Sequence, residues 1–156
     1  MTQHANRKSG APRLAFFEDL HPAAADFRAD ILSGLARPQK AIPPKYYYDD
    51  AGSRLFDAIT QQPEYYLTQT ELELLGEIGP ELADLAGPGA VVLEPGAGSS
   101  IKIRTLLDAL DAPAAYVGMD ISGDHVKAAC EELAADYPQL EIGAVCHDFT
   151  QAIDLD

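Results

Sequence analysis

At 156 residues the chain has the length of about one domain, and its 47% apolar and 23% charged residues exclude the low-hydropathy, high-charge signature of a disordered protein. The net charge of -14 is uneven, +3 over residues 1–45 and -17 over the rest; so acidic a body repels phosphate backbones, and nucleic acid is not an expected partner. Two cysteines, Cys130 and Cys146, exclude a disulfide framework, and with no CxxC pair, no apolar run of 18 residues and no signal-peptide core, a cytoplasmic location is expected, with no membrane span.

Residues 1–14 are polar and aperiodic, a flexible N-terminus. Phe27, Ile31, Leu32 and Leu35 share one helical face in a first helix expected over 22–35, stopped by Pro38. The run AIPPKYYYDDAGS then reads as an extended path and a turn, with Ser53 capping a helix over 54–59. Thr68 to Glu71 fits a capping box for a long helix with a stripe of Leu72, Leu75, Ile78, Leu82 and Leu85, kinked at Gly79-Pro80.

After Gly87-Pro88-Gly89 the pattern changes to strand, loop, helix. Apolar runs at 90–93, 115–119 and 140–146 read as strands, and helices between them carry Ile103, Leu106, Leu107 and Leu110, then Val126, Ala129, Cys130 and Leu133. The expected fold is α/β: a parallel, Rossmann-like β-α-β-α-β half-sheet over 88–156, preceded by a helical segment over 15–87. Ligands bind such sheets beyond the carboxyl ends of the strands. A doubly wound sheet would place another strand beside the first, so the chain is expected to be part of a longer polypeptide, with little turnover alone.

The run VVLEPGAGSS places an acid at a strand end ahead of Gly96-Ala97-Gly98, where side chains would block a ligand approaching the turning backbone. Asp120 ends the second strand 24 residues beyond Gly96, near the offset at which an acid receives ribose hydroxyls; its other reading is a helix-start residue. At the third strand end, Asp148 could accept from an adenine amino group and Phe149 cover a ring, or the two could be a turn cap and a core aromatic. A nicotinamide dinucleotide wants GxGxxG, but the sixth position is Ile101, and Glu94 beside the loop opposes a pyrophosphate. S-adenosylmethionine fits better: an acid suits its ammonium and Lys102 its carboxylate. Lys102 and Arg104, in the first turn of a helix, oppose the helix dipole and call for compensation.

Taken together, PKYYYDDAGSRLFDAITQQPEYYLTQTE, LEPGAGSSIK, YVGMDIS and YPQLEIGAVCHDFT resemble the histidine Nα-methyltransferases of ergothioneine biosynthesis, across about residues 25–150. The resemblance implies S-adenosylmethionine-dependent trimethylation of the α-amino group of L-histidine to hercynine. It implies Gly96 and Lys102 at the amino-acid end of the cofactor, Asp120 at the ribose, Asp148 and Phe149 at the adenine, and Tyr65 at the histidine, with Tyr48 and Phe56 lining the same pocket. Pro95 and Ala97 replace a Leu and a Ser of the family pattern, Leu67 and Gln69 replace a Pro and an Arg, and the family's other histidine-binding residues fall beyond Asp156. No general base is identified. The alternatives are another small amine as acceptor, a nicotinamide-dependent oxidoreductase fragment, or a non-catalytic remnant. His4, His21, His125 and His147 lack the spacing of metal ligands, and no metal is expected.

Overall fold

A computed structural model describes residues 14–20, 26–98, 101–149 and 151–152. Expectations for the N-terminus before residue 14, the first helix before residue 26 and the C-terminus after residue 152 therefore fall outside the described residues, as do Ser99 and Ser100 of the glycine loop.

The second half follows its apolar pattern closely. Strands at Val91–Pro95, Ala115–Asp120 and Glu141–Cys146 alternate with helices at Ile101–Ala109 and Gly123–Asp136. A further strand lies earlier in the chain, at Phe16–Asp19, so the four strands are numbered β1 (Phe16–Asp19), β2 (Val91–Pro95), β3 (Ala115–Asp120) and β4 (Glu141–Cys146). All pairings are parallel and the order is β1-β4-β3-β2.

Strand β1 stands in a stretch read as helical. Its four residues, FFED, are too few to show a period, and its residues are exposed, so burial left no trace in the sequence. Backbone pairing with β4 from Phe16↔Gly143 to Asp19↔Cys146 holds it, and the Phe16 ring occupies the space that a side chain at 143 would need.

The helices are α1 (Phe27–Ala36), α2 (Asp50–Thr60), α3 (Leu67–Ala86), α4 (Ile101–Ala109) and α5 (Gly123–Asp136), with a 3-10 turn at Pro44–Tyr47. Helices α4 and α5 cover one sheet face. There Ile103, Leu107, Val126, Cys130 and Leu133 meet Tyr116, Ile142 and Ala144 in the buried core. Helix α3 packs on α4, and a Cβ added to Gly79 would lie 2.9 Å from that of Ala109, so the two backbones approach where a side chain would keep them apart.

Several local expectations are corrected. The first helix forms at Phe27–Ala36, where Phe27, Leu32 and Leu35 are exposed and only Gly34 is buried. Asp49, rather than Ser53, caps α2, accepting from Gly52 N at 2.7 Å, and Ser53 is a buried residue inside the helix. Helix α3 begins at Leu67 behind Tyr66, with no side-chain cap, and the expected capping box does not form. It runs through Pro80 as one helix.

Candidate functional site

The glycine turn begins where β2 ends. Gly96 N and Ala97 N both donate to Met119 O, at 2.7 and 3.0 Å, which ties the turn to the last residues of β3. Gly96 and Gly98 have φ of 78° and 51°, the left-handed region that favours glycine. Their shape lets the chain reverse at the sheet edge without a side chain over the opening.

Asp120 is directed at this turn. Its Oδ2 accepts from Gly98 N at 3.4 Å and its Oδ1 from Ser122 N at 2.9 Å. Ser122 itself precedes α5 without a side-chain hydrogen bond. One carboxylate thus joins the loop after β2 to the start of α5.

The third strand tip is held alongside by His147 N donating to Asp120 O at 2.9 Å. The chain then turns at Asp148 and Phe149, with Gln151 N donating to Asp148 O at 2.8 Å. The Phe149 ring lies 3.7 Å from where a Cβ on Gly96 would be, so it closes over the glycine turn instead of entering the core.

These tips surround a cavity of about 610 Å³ whose walls include Gly96, Gly98, Lys102, Asp120, Asp148 and Phe149. Its opposite wall comes from the segment before the sheet: Pro43, Pro44, Lys45, Tyr48, Ser53, Phe56 and Asp57. The five cofactor residues expected from sequence therefore stand on one cavity. Tyr65 stands one ring back. It packs edge-on against Phe56, centroids 6.0 Å apart, and Phe56 in turn meets Tyr48 at 6.4 Å.

Lys102 and Arg104 are compensated, as their place in the first turn of α4 requires. Lys102 Nζ donates to both oxygens of Glu71 on α3, at 3.0 and 3.1 Å, and Arg104 pairs with Asp136 on α5. Glu71 therefore serves a contact between helices, while the start of α3 at Leu67 puts Thr68 inside the helix, where it cannot head a capping box. Glu94, the acid ahead of the glycine turn, accepts from Tyr116 Oη at 2.8 Å, and burial pushes its carboxyl above the ordinary value.

Sequence reasoning did not reach Lys45, Asp57, Ile121 or His125, all on the cavity wall. Ile121 was findable as the residue after the acidic strand end. Lys45 opens the PKYYYDD run without a signal of its own there, and His125 carried no periodic or motif signal. Burial holds the thiols of Cys130 and Cys146 up at about 11, which leaves them protonated and unreactive at neutral pH.

The family model for "Histidine-specific methyltransferase, SAM-dependent" matches residues 27–156. The chain belongs to this family. Among curated proteins, the chain is 42% identical over 132 residues to the histidine N-alpha-methyltransferase of Mycolicibacterium smegmatis, covering 83% of this chain and 41% of that protein. It is 40% identical over 127 residues to the Mycobacterium tuberculosis enzyme of the same name, covering 80% and 39%. A 4-dimethylallyltryptophan N-methyltransferase of Claviceps purpurea is 29% identical over 106 residues, covering 66% and 31%. The chain thus spans about two fifths of the length of the histidine N-alpha-methyltransferases it matches. Membership in a methyltransferase family displaces the oxidoreductase reading, and no helix among the described residues is long and apolar enough to cross a membrane.

Proposed function

We propose that this chain supplies the donor-binding half, and part of the acceptor wall, of an S-adenosylmethionine-dependent enzyme that methylates the α-amino group of L-histidine to hercynine. The observation that carries the reading is the convergence of three strand tips on one cavity, with Asp120 hydrogen-bonded to the glycine turn. Bound there, S-adenosylmethionine supplies a methyl group on a sulfonium, activated for in-line displacement by an amine.

The residues fit such a donor. Gly96 and Gly98 leave the wall free of side chains where a flat or extended ligand must approach. Asp120 accepts from ribose hydroxyls; a carboxylate offers about four lone-pair directions, so two backbone donors leave room for them. Asp148 receives the adenine amino group and Phe149 covers the ring. Lys102 takes the carboxylate of the methionine end by sharing or leaving Glu71, and an exposed ion pair worth about 0–1 kcal/mol makes that exchange inexpensive. Glu94 provides the negative charge for the ammonium.

Tyr48 and Phe56 face the acceptor, with Tyr65 behind Phe56 as its positioning neighbour. The chemistry asks these residues to orient the amine and exclude water, since alignment alone is worth effective molarities of about 10⁵–10⁸ M. An α-amino group titrates near 8, so partial desolvation against these rings exposes its lone pair at neutral pH without a strong base. The names of the mycobacterial relatives support histidine as the acceptor.

The test is calorimetry with S-adenosylhomocysteine on the wild-type chain and Asp120→Ala. Removing a charged acceptor from a ribose hydroxyl costs about 1.5–3 kcal/mol, hence about 10- to 100-fold in affinity. Equal binding by both proteins refutes the assignment of Asp120. Hercynine formation from L-histidine and S-adenosylmethionine, followed by mass spectrometry, tests the acceptor.

A further inference from the structure

Tyr116 is fully buried and Glu94 is half-buried, and they share a hydrogen bond behind the glycine turn, where an apolar pair of the same size would pack as well. The geometry that joins them is built into three positions. Parallel pairing sets Val92 opposite Tyr116 and Glu94 opposite Gly118, so the phenol must reach along the sheet, past residue 118, to meet the carboxylate. Only glycine leaves that path open: a Cβ at 118 would lie 2.9 Å from Tyr116 Oη and 2.8 Å from Cys130 Sγ. The hydroxyl then donates to Glu94 Oε2 at 2.8 Å, two residues before Gly96.

We propose that Tyr116 is a positioning residue for donor binding: through the gap at Gly118 its hydroxyl fixes the Glu94 carboxylate behind the glycine turn, toward the ammonium of the methionine end. The proposal rests on the donor reading given above. A leucine or phenylalanine at 116 would fill the core but leave the carboxylate to rotate and to take up a proton more readily.

Glu94 is faced from each neighbouring element by a group that bears on its charge. Tyr116 on β3 and Lys102 on α4 favour the ionised form, Glu71 on α3 opposes it, and burial opposes it most. Cys130 on α5, its thiol held up at about 11, is neutral throughout the working range. Removing the phenol hydroxyl removes one of the two supports, so Glu94 keeps its proton to higher pH.

The experiment compares wild type, Tyr116→Phe and Glu94→Gln in two readouts between pH 5 and 8.5. The first is the carboxyl ¹³C titration of Glu94, which needs no ligand. The second is S-adenosylhomocysteine affinity by calorimetry. Tyr116→Phe is expected to move the Glu94 titration upward by about one pH unit and to lower affinity about tenfold at the acid end, with recovery toward pH 8.5, as loss of a hydrogen bond to a charged group implies. Glu94→Gln, which keeps an acceptor for the phenol, is expected to bind weakly with no such recovery. His125, also on the cavity wall, is common to all three proteins and cancels in the comparison. An unmoved Glu94 titration, or a loss of affinity equal at every pH, overturns the positioning role while wild-type binding leaves the donor reading intact. Failure of the wild type to bind at any pH overturns the donor reading, and the proposal with it.

Discussion

At Asp120 two backbone N–H groups hold the side chain before any ligand arrives, so little rotamer freedom remains to be lost on binding. Glu94 shows the opposite economy. Because burial raises its folded value above the ordinary 4.5, its contribution to stability is fully present below 4.5 and is lost as pH rises through that raised value. Glu94→Gln imitates the protonated acid. It is expected to melt above wild type at pH 7, a difference that fades as pH falls to 4.5, in thermal scans followed by circular dichroism. A higher melting temperature with poorer donor binding would mark a site that gives up stability for recognition. At Lys102 the expectation concerns ligand charge: Lys102→Met should weaken S-adenosylhomocysteine about tenfold or more while barely weakening adenosine, which lacks the carboxylate. Equal losses for both would remove Lys102 from that role.

At the scale of elements, sequence legibility follows burial and repetition. Strands β2 to β4 and helices α4 and α5 were readable because their apolar positions recur on the faces that make the core. Asp120, Asp148 and Phe149 could be placed on one edge because Asp120 ends a parallel strand and the other two follow the end of its neighbour. Strand β1 was not readable, since a four-residue edge strand held by backbone pairing leaves no pattern. The α1 spacing reported the helix but not its surroundings, since Leu32 and Leu35 on it are exposed. Glu71 was misread because α3 starts at Leu67, one residue ahead of the Thr68 read as its cap, and the carboxylate pairs with the distant Lys102. Lys45 and His125 reach the cavity only through tertiary placement. The α3–α4 contact allows a prediction of its own. Gly79→Ala gains about 1 kcal/mol of helix propensity, but its new methyl would stand 2.9 Å from Ala109 Cβ, and overpacking costs about 1–3 kcal/mol. Net destabilisation of about 1 kcal/mol is expected in urea unfolding, and Ala109→Gly in the same chain should restore part of it by clearing the space.

Across the whole molecule the sheet is covered unevenly. On β2, Val92 and Glu94 are half-buried, whereas Val91 and Leu93 are 66% and 50% exposed on the alternate face. On α3, Leu74 and Leu85 are 51% and 78% exposed. Apolar area of this kind binds hydrophobic dyes and favours association. Leu93→Lys is accordingly expected to reduce anilinonaphthalene sulfonate fluorescence by about a third or more and to lower any concentration-dependent sedimentation, with the near-ultraviolet circular dichroism unchanged. No reduction would mean that this face is covered in solution. The acidic body adds repulsion between copies, so raising the salt concentration should promote association by screening it.

The pairing of β1 with β4 also governs the order of folding. Residues 16–19 find their partners at 143–146, with Ala15 N bonded to Ile142 O and Leu20 N to Cys146 O, so these links close a loop of well over a hundred residues. On a ribosome the first of these residues must wait, unpaired, until the last have left the exit tunnel. Local segments such as β3-α5-β4 can assemble earlier, because far less chain entropy opposes them. The outer strand is thus the latest stitch of the sheet and the first to loosen: in native-state hydrogen exchange, the amide of Leu20 should lose protection before those of Tyr116 or Ile142.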